Sequence, residues 1–157
     1  MTIVRDVPGG ITRGCGLLLV ASLTACSVGP PAPARLDPAN DTCAHCRMAV
    51  SDKRFAAQIA RRGEEPIFFD DIGCLRDYLR ESRPNGDAVA FVADHRTGEW
   101  VAGGQAVYSR RPSLATPMAS GLVAHADSAS RDRDPEAAGA EPVPAVEILG
   151  PLARGGR

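Results

Sequence analysis

Downstream of residue 50 the apolar residues arrive in short segments closed by turn residues, and this segmentation limits the fold more than any motif does. Phe55, Ala57 and Ile59 alternate with Ala56, Gln58 and Ala60, a period of two that predicts a half-buried strand. Arg62-Gly63-Glu64-Glu65 predicts a turn and Ile67-Phe68-Phe69 a second short strand. Asp70-Asp71 then offers a helix N-cap, and Ile72, Leu75, Tyr78 and Leu79 share one helical face. Arg83-Pro84-Asn85-Gly86 ends that helix. The order then recurs. Residues 88–93 predict a third strand, Asp94-His95-Arg96-Thr97-Gly98 a turn, and Glu99-Trp100-Val101 a fourth strand. One further short strand is expected near Ala106-Val107-Tyr108. Thr116-Pro117 reads as the cap and first position of a second helix over 117–129, with Met118, Leu122 and His125 on one face. The expected class is α+β, built as two ββα units with short antiparallel strands.

The densest chemistry lies in residues 41–48, Asp-Thr-Cys-Ala-His-Cys-Arg-Met. Cys43 and Cys46 have the spacing of half a zinc site or of a redox pair. Cys46 and Met48 place a thiolate and a thioether two residues apart, which suits a soft cation, and Cu(I) is the physiological ion that prefers sulfur. Met118 is the only other methionine besides Met1. It too sits beside cap and loop residues, so Cys43, Cys46, Met48 and Met118 are the candidate copper ligands. His45 and His125 are possible nitrogen ligands but read first as bystanders, His95 is a solvated turn residue, and Cys74 is a small buried hydrophobe on the helix face.

The remaining segments divide the chain. Arg5 and Arg13 precede an apolar run over 14–23 that is too short for a permanent span. Leu23-Thr24-Ala25-Cys26 follows and resembles the lipobox of bacterial lipoproteins. The resemblance implies a signal peptide over 1–25, lipidation of Cys26, and acyl chains that hold the protein on the periplasmic side of the envelope, at the outer membrane. Residues 26–40 are Pro-rich and expected to be an extended tether without chemistry. The domain is expected over 41–127. Residues 128–157 read as a largely disordered tail, with Val146-Glu147-Ile148-Leu149 as an edge strand.

Cleavage would remove Arg5, Arg13 and Asp6, leaving 16 Lys+Arg against 18 Asp+Glu. Without a basic excess there is no attraction for nucleic acid. Cys43, Cys46 and Cys74 then form an odd set in an oxidising compartment, so at least one is free, metal-bound or paired with another chain. Two other chemistries use the same thiols. A zinc-stabilised binding module needs four ligands, and the sequence shows no second close pair. A thiol-disulfide oxidoreductase needs its CxxC at a helix N-terminus, whereas a strand is expected after Cys46. Nothing resembles a hydrolase or a phosphate loop.

Five motifs in order resemble the NosL family: Cys-x-x-Cys-x-Met at 43–48, Phe-Ala-Ala-Gln-Ile at 55–59, Phe-Phe-Asp-Asp-Ile-Gly-Cys-Leu at 68–75, Val-Ala-Asp-x-x-Thr-Gly-x-Trp-Val at 92–101, and Thr-Pro-Met-Ala-Ser-Gly at 116–121. The resemblance implies a membrane-anchored Cu(I) chaperone without catalytic turnover. Its partners would be nitrous oxide reductase, whose copper-sulfide centre it supplies, or the associated ABC-type transporter. It also implies that Cys46, Met48 and Met118 occupy copper-ligand positions, with Cys43 as a further candidate. Arg47 stands where the family commonly has Gly, and His125 where it is usually aromatic.

Overall fold

The computed structural model describes residues 29–82, 84 and 87–154. The expected signal segment and the expected lipidation site at Cys26 lie outside the described residues.

Two small antiparallel sheets and a few short helices make an α+β fold. Strand β1 (Ala57–Ala60) pairs with β2 (Ile67–Phe69), and helix α1 (Ile72–Glu81) follows. Strands β3 (Val89–Ala93) and β4 (Trp100–Ala102) complete the first sheet in the order β2-β1-β3-β4. β1 is therefore a central strand and is buried along its whole length, not half-buried as its alternation predicts. Small residues at 57 and 60 permit this, and its one polar side chain is satisfied. Gln58 donates its amide N–H to the Ala34 carbonyl at 3.0 Å and accepts from the Ala34 amide at 2.8 Å. That clasp, with buried Leu36, docks the end of the expected tether on the domain.

The second sheet corrects the sequence reading most. β5 (Val107–Arg110) is central, flanked by β6 (Leu122–His125) and by β7 (Glu141–Val143), in the order β6-β5-β7. The expected helix over 117–129 is absent. Thr116 still uses its hydroxyl as a cap does, but it accepts from the Gly121 amide at 3.2 Å and closes a turn. Ala119 at φ +56° and Gly121 at φ +64° then reverse the chain into β6. Met118, Leu122 and His125 consequently share no helical face.

Residues 128–154, expected to be largely disordered, carry regular structure instead. Asp127 caps helix α2 (Ser128–Asp132), and Asp134 caps a 3-10 turn, Pro135–Ala137, with proline at its start. β7 joins an edge, where Pro142 costs no ladder bond. Residues 146–149 form no strand. They lie in helix α3 (Ala145–Leu149), which buries Ile148 and Leu149 and packs on α1. The acidic residues and prolines that suggest disorder by composition serve here as local caps. No helix among the described residues is long and apolar enough to cross a membrane.

Candidate metal centre

Residues 42–49 fold into a knuckle. Thr42 and Ala49 form an isolated antiparallel bridge, the Cys43 amide donates to the Met48 carbonyl at 2.8 Å, and the Arg47 amide donates to the Cys43 carbonyl at 3.0 Å. The turn needs Arg47 in the left-handed region, φ +69°. The Ala44 amide donates to the Phe68 carbonyl at 2.9 Å and fixes the knuckle against β2. β2 runs directly into Asp70 and Asp71, and α1 begins at Ile72. One acidic residue suffices for the cap: Asp71 accepts from the Gly73 amide at 2.6 Å. Asp70 is left over and is buried.

The result is a convergence of three cysteines and one carboxylate. Donor atoms of Cys43, Cys46, Asp70 and Cys74 all lie within 4.8 Å of one another. An ion with metal–sulfur bonds of about 2.3 Å holds its sulfurs roughly 3.8 Å apart, so the spacing is compatible with one ion. Cys43, Cys74 and Asp70 are buried, and Cys46 is half-buried. No disulfide joins the three thiols. Cys74, expected to be only a packing residue, is thus part of this centre. The surplus aspartate and the cysteine in the next helical turn are the sequence signal for it.

The protons in the cluster are unevenly held. A hydrogen bond from the Cys74 thiol lowers Cys43 to about 6, against the cost of its burial. Burial raises Cys46 to about 11, with the Cys43 sulfur and Asp70 adding to the effect. Its Sγ donates to Asp70 Oδ1 at 3.3 Å. Cys74 is pushed up because Cys43 holds its proton and because it is buried. One thiolate and two thiols therefore face one carboxylate. Thiolate is the ligand form, so an ion bound here would displace the remaining protons.

The methionines are solvent-exposed. Met48 is 55% exposed and Met118 43% exposed, whereas most large apolar side chains are covered. Met118, Cys74 and His45 line one cleft of about 260 Å³ with Arg76 and Asp77, so the Thr-Pro-Met turn borders the helix that carries Cys74. His45 Nδ1 lies 3.8 Å from the Glu81 carboxylate.

The other two histidines are elsewhere. His95 is 1% exposed, not a solvated turn residue, and His125 is fully buried in β6. Both rings point at one oxygen: His95 Nδ1 lies 2.6 Å and His125 Nε2 2.9 Å from Asp134 Oδ2. Burial works against ionisation of Asp134, but the two imidazole N–H groups hold its carboxyl below the usual range. These three residues are 30 and 9 positions apart in the chain, and no local pattern joins them.

Comparison with protein-family models, with curated proteins and with solved structures finds no match to this chain.

Proposed function

We propose that this protein is a Cu(I) carrier that receives the ion at the Cys43–Cys46–Cys74 cluster and hands it to a maturing cuproenzyme by ligand exchange. The observation that carries this reading is the convergence of three sulfur donors from a knuckle and a helix, bordered by the Met118 cleft. Cys43 and Cys74 form the inner pair, half-buried Cys46 lies toward the surface, and Met48 and Met118 supply thioethers at the solvent side. Thioethers keep their affinity for Cu(I) in an oxidising space because they form no disulfides. Half-buried Cys46 and exposed methionines allow an incoming ligand to displace one donor at a time. The resemblance to the NosL family supports nitrous oxide reductase, or its ABC-type transporter, as the recipient. It also supports anchoring through Cys26 on the periplasmic side of the outer membrane. The same reading takes the fold as two ββα units. β1, β2 and α1 support the first, and β5, β6 and α2 support a second that begins at β5 and not at β3.

A second reading is favoured by Asp70. Three cysteines and a carboxylate form a four-donor set that suits a structural zinc ion and a zinc-stabilised binding module. The two metals separate by their taste in donors: Cu(I) avoids oxygen, whereas zinc accepts it. Titration of the purified protein with Cu(I) under reducing, oxygen-free conditions, against a competing chelator, tests both. Met118→Ala should weaken Cu(I) binding by about tenfold, which is ~1.4 kcal/mol, and leave zinc binding unchanged. Asp70→Asn should weaken zinc and spare Cu(I). Equal Cu(I) affinity for the wild type and Met118→Ala defeats the carrier reading.

A further inference from the structure

The His95, His125 and Asp134 cluster is built from three segments that meet only in the folded chain. His95 follows β3 in the first sheet, His125 ends β6 in the second, and Asp134 follows α2. Donor atoms of all three lie within 4.8 Å of one another, and all three residues are buried. The carboxylate is aimed. Asp134 Oδ1 accepts from the Glu136 amide at 2.9 Å, which leaves Oδ2 for the two imidazoles. The rings are also held. Phe55 packs against His95 with ring centroids 5.0 Å apart, and the two imidazoles meet edge to face at 6.0 Å.

We propose that His95, His125 and Asp134 form a second metal site, free of sulfur, for a divalent transition ion such as zinc. Two imidazoles and a carboxylate are the donor set that borderline divalent ions take, in contrast to the soft set around Cys43. An ionised carboxylate only accepts, so His95 Nδ1 and His125 Nε2 carry the protons that face Asp134. His95 Nε2 and His125 Nδ1 then have no hydrogen-bond partner among the described residues. When an ion takes the inner nitrogens, each ring moves its proton to the outer nitrogen, with no net proton lost. The Glu136 carboxylate, which accepts from Arg54 Nη1 at 3.1 Å, lies 3.8 Å from His95 Nε2, and a small side-chain shift would make it the acceptor of Nε2–H. That is the carboxylate–histidine–metal arrangement by which ligating imidazoles are oriented. Asp134 borders an open cleft of about 580 Å³, which gives the ion a path inward. The bound ion would cross-link both sheets to the C-terminal segment. This site is independent of the copper reading and stands or falls without it.

The test is nitrogen NMR of the protein labelled with 15N-histidine, with Zn2+ added alone beyond what the thiols take up. Both His95 and His125 should change tautomer, their inner nitrogens losing protons. Glu136→Gln alters an exposed side chain whose other partner is a surface ion pair with Arg54, so the fold should hold. It should weaken this ion by roughly tenfold without changing uptake by the thiols. His125→Gln should lower zinc uptake by one equivalent, and should that variant not fold, the wild-type spectrum and Glu136→Gln decide. If both imidazoles keep their protons toward Asp134 in excess Zn2+, the cluster is a hydrogen-bonded clasp and the proposal is overturned. Wild-type affinity in Glu136→Gln likewise counts against it.

Discussion

Asp71 holds Met118: while one oxygen of its carboxylate caps α1 at the Gly73 amide, the other accepts the Met118 backbone N–H at 3.0 Å. A single buried side chain thus sets both the start of the helix that carries Cys74 and the position of the turn that carries the thioether. Loss of an N-cap costs about 1 kcal/mol, and the orphaned, part-buried Met118 amide adds about as much again. Asp71→Ala should therefore lose roughly 2 kcal/mol by thermal or denaturant melting and should also weaken Cu(I) binding. Asp71→Asn keeps an acceptor for only one of the two amides and should fall between. Equal losses in the two variants would show that the bond to Met118 contributes nothing.

The same contact makes Gly73 a sensitive position. In most helices Gly→Ala stabilises by roughly 0.5–1 kcal/mol. Here a Cβ at position 73 would lie 2.6 Å from Ser120 Cβ and 2.9 Å from Asp71 Oδ1. Something must shift, and overpacking of this kind costs about 1–3 kcal/mol. Gly73→Ala should destabilise the protein, and the Met118 amide should gain hydrogen-exchange rate as the turn is pushed off α1. A stabilised Gly73→Ala would mean that the 116–121 turn is not seated on the helix.

How much of this was legible from the residues depends on how local the signal is. α1 follows from Asp71, Ile72 and Leu75 because a cap and a 3.6-residue period are both local, and β1 to β5 follow from period and turn residues. Thr116-Pro117 misleads because a threonine hydroxyl closes a turn with the same chemistry that caps a helix, and only the backbone signs at Ala119 and Gly121 tell them apart. Cys74 carries two meanings on one apolar face, packing and candidate ligand, and only its folded neighbours Cys43 and Asp70 bring out the second. His95 and Asp134 meet through sheet packing, which no window of sequence contains.

Arg47 is the strained residue of the knuckle. Its φ of +69° costs a side-chain-bearing residue about 1–2 kcal/mol relative to glycine, partly offset by the freedom glycine gains when unfolded. Arg47→Gly should raise stability by about 0.5 kcal/mol with unchanged metal stoichiometry, whereas Arg47→Ala, which keeps the Cβ, should gain nothing. Equal melting temperatures for Gly and Ala at this position would place the strain elsewhere.

Asp94 should set the acid limit of the fold. Burial opposes its ionisation, but the Ala126 amide at 2.8 Å, the Ser130 hydroxyl and the Thr97 amide at 2.9 Å outweigh that cost and bring it to about 2, from an ordinary 3.8. The folded value lies below the unfolded one, so the unfolded chain binds the proton more readily. The stabilisation is complete above about pH 4 and is lost as pH falls through about 2, a loss of about 2 kcal/mol. Because Asp94 ties the β3–β4 turn to the residue after β6, this loss loosens the join between the sheets. Urea melts at several pH values should show stability falling across that window, and Asp94→Asn should be weaker at neutral pH but flatter below pH 4. An acid limb as steep in Asp94→Asn as in the wild type would assign the acid sensitivity to another carboxylate.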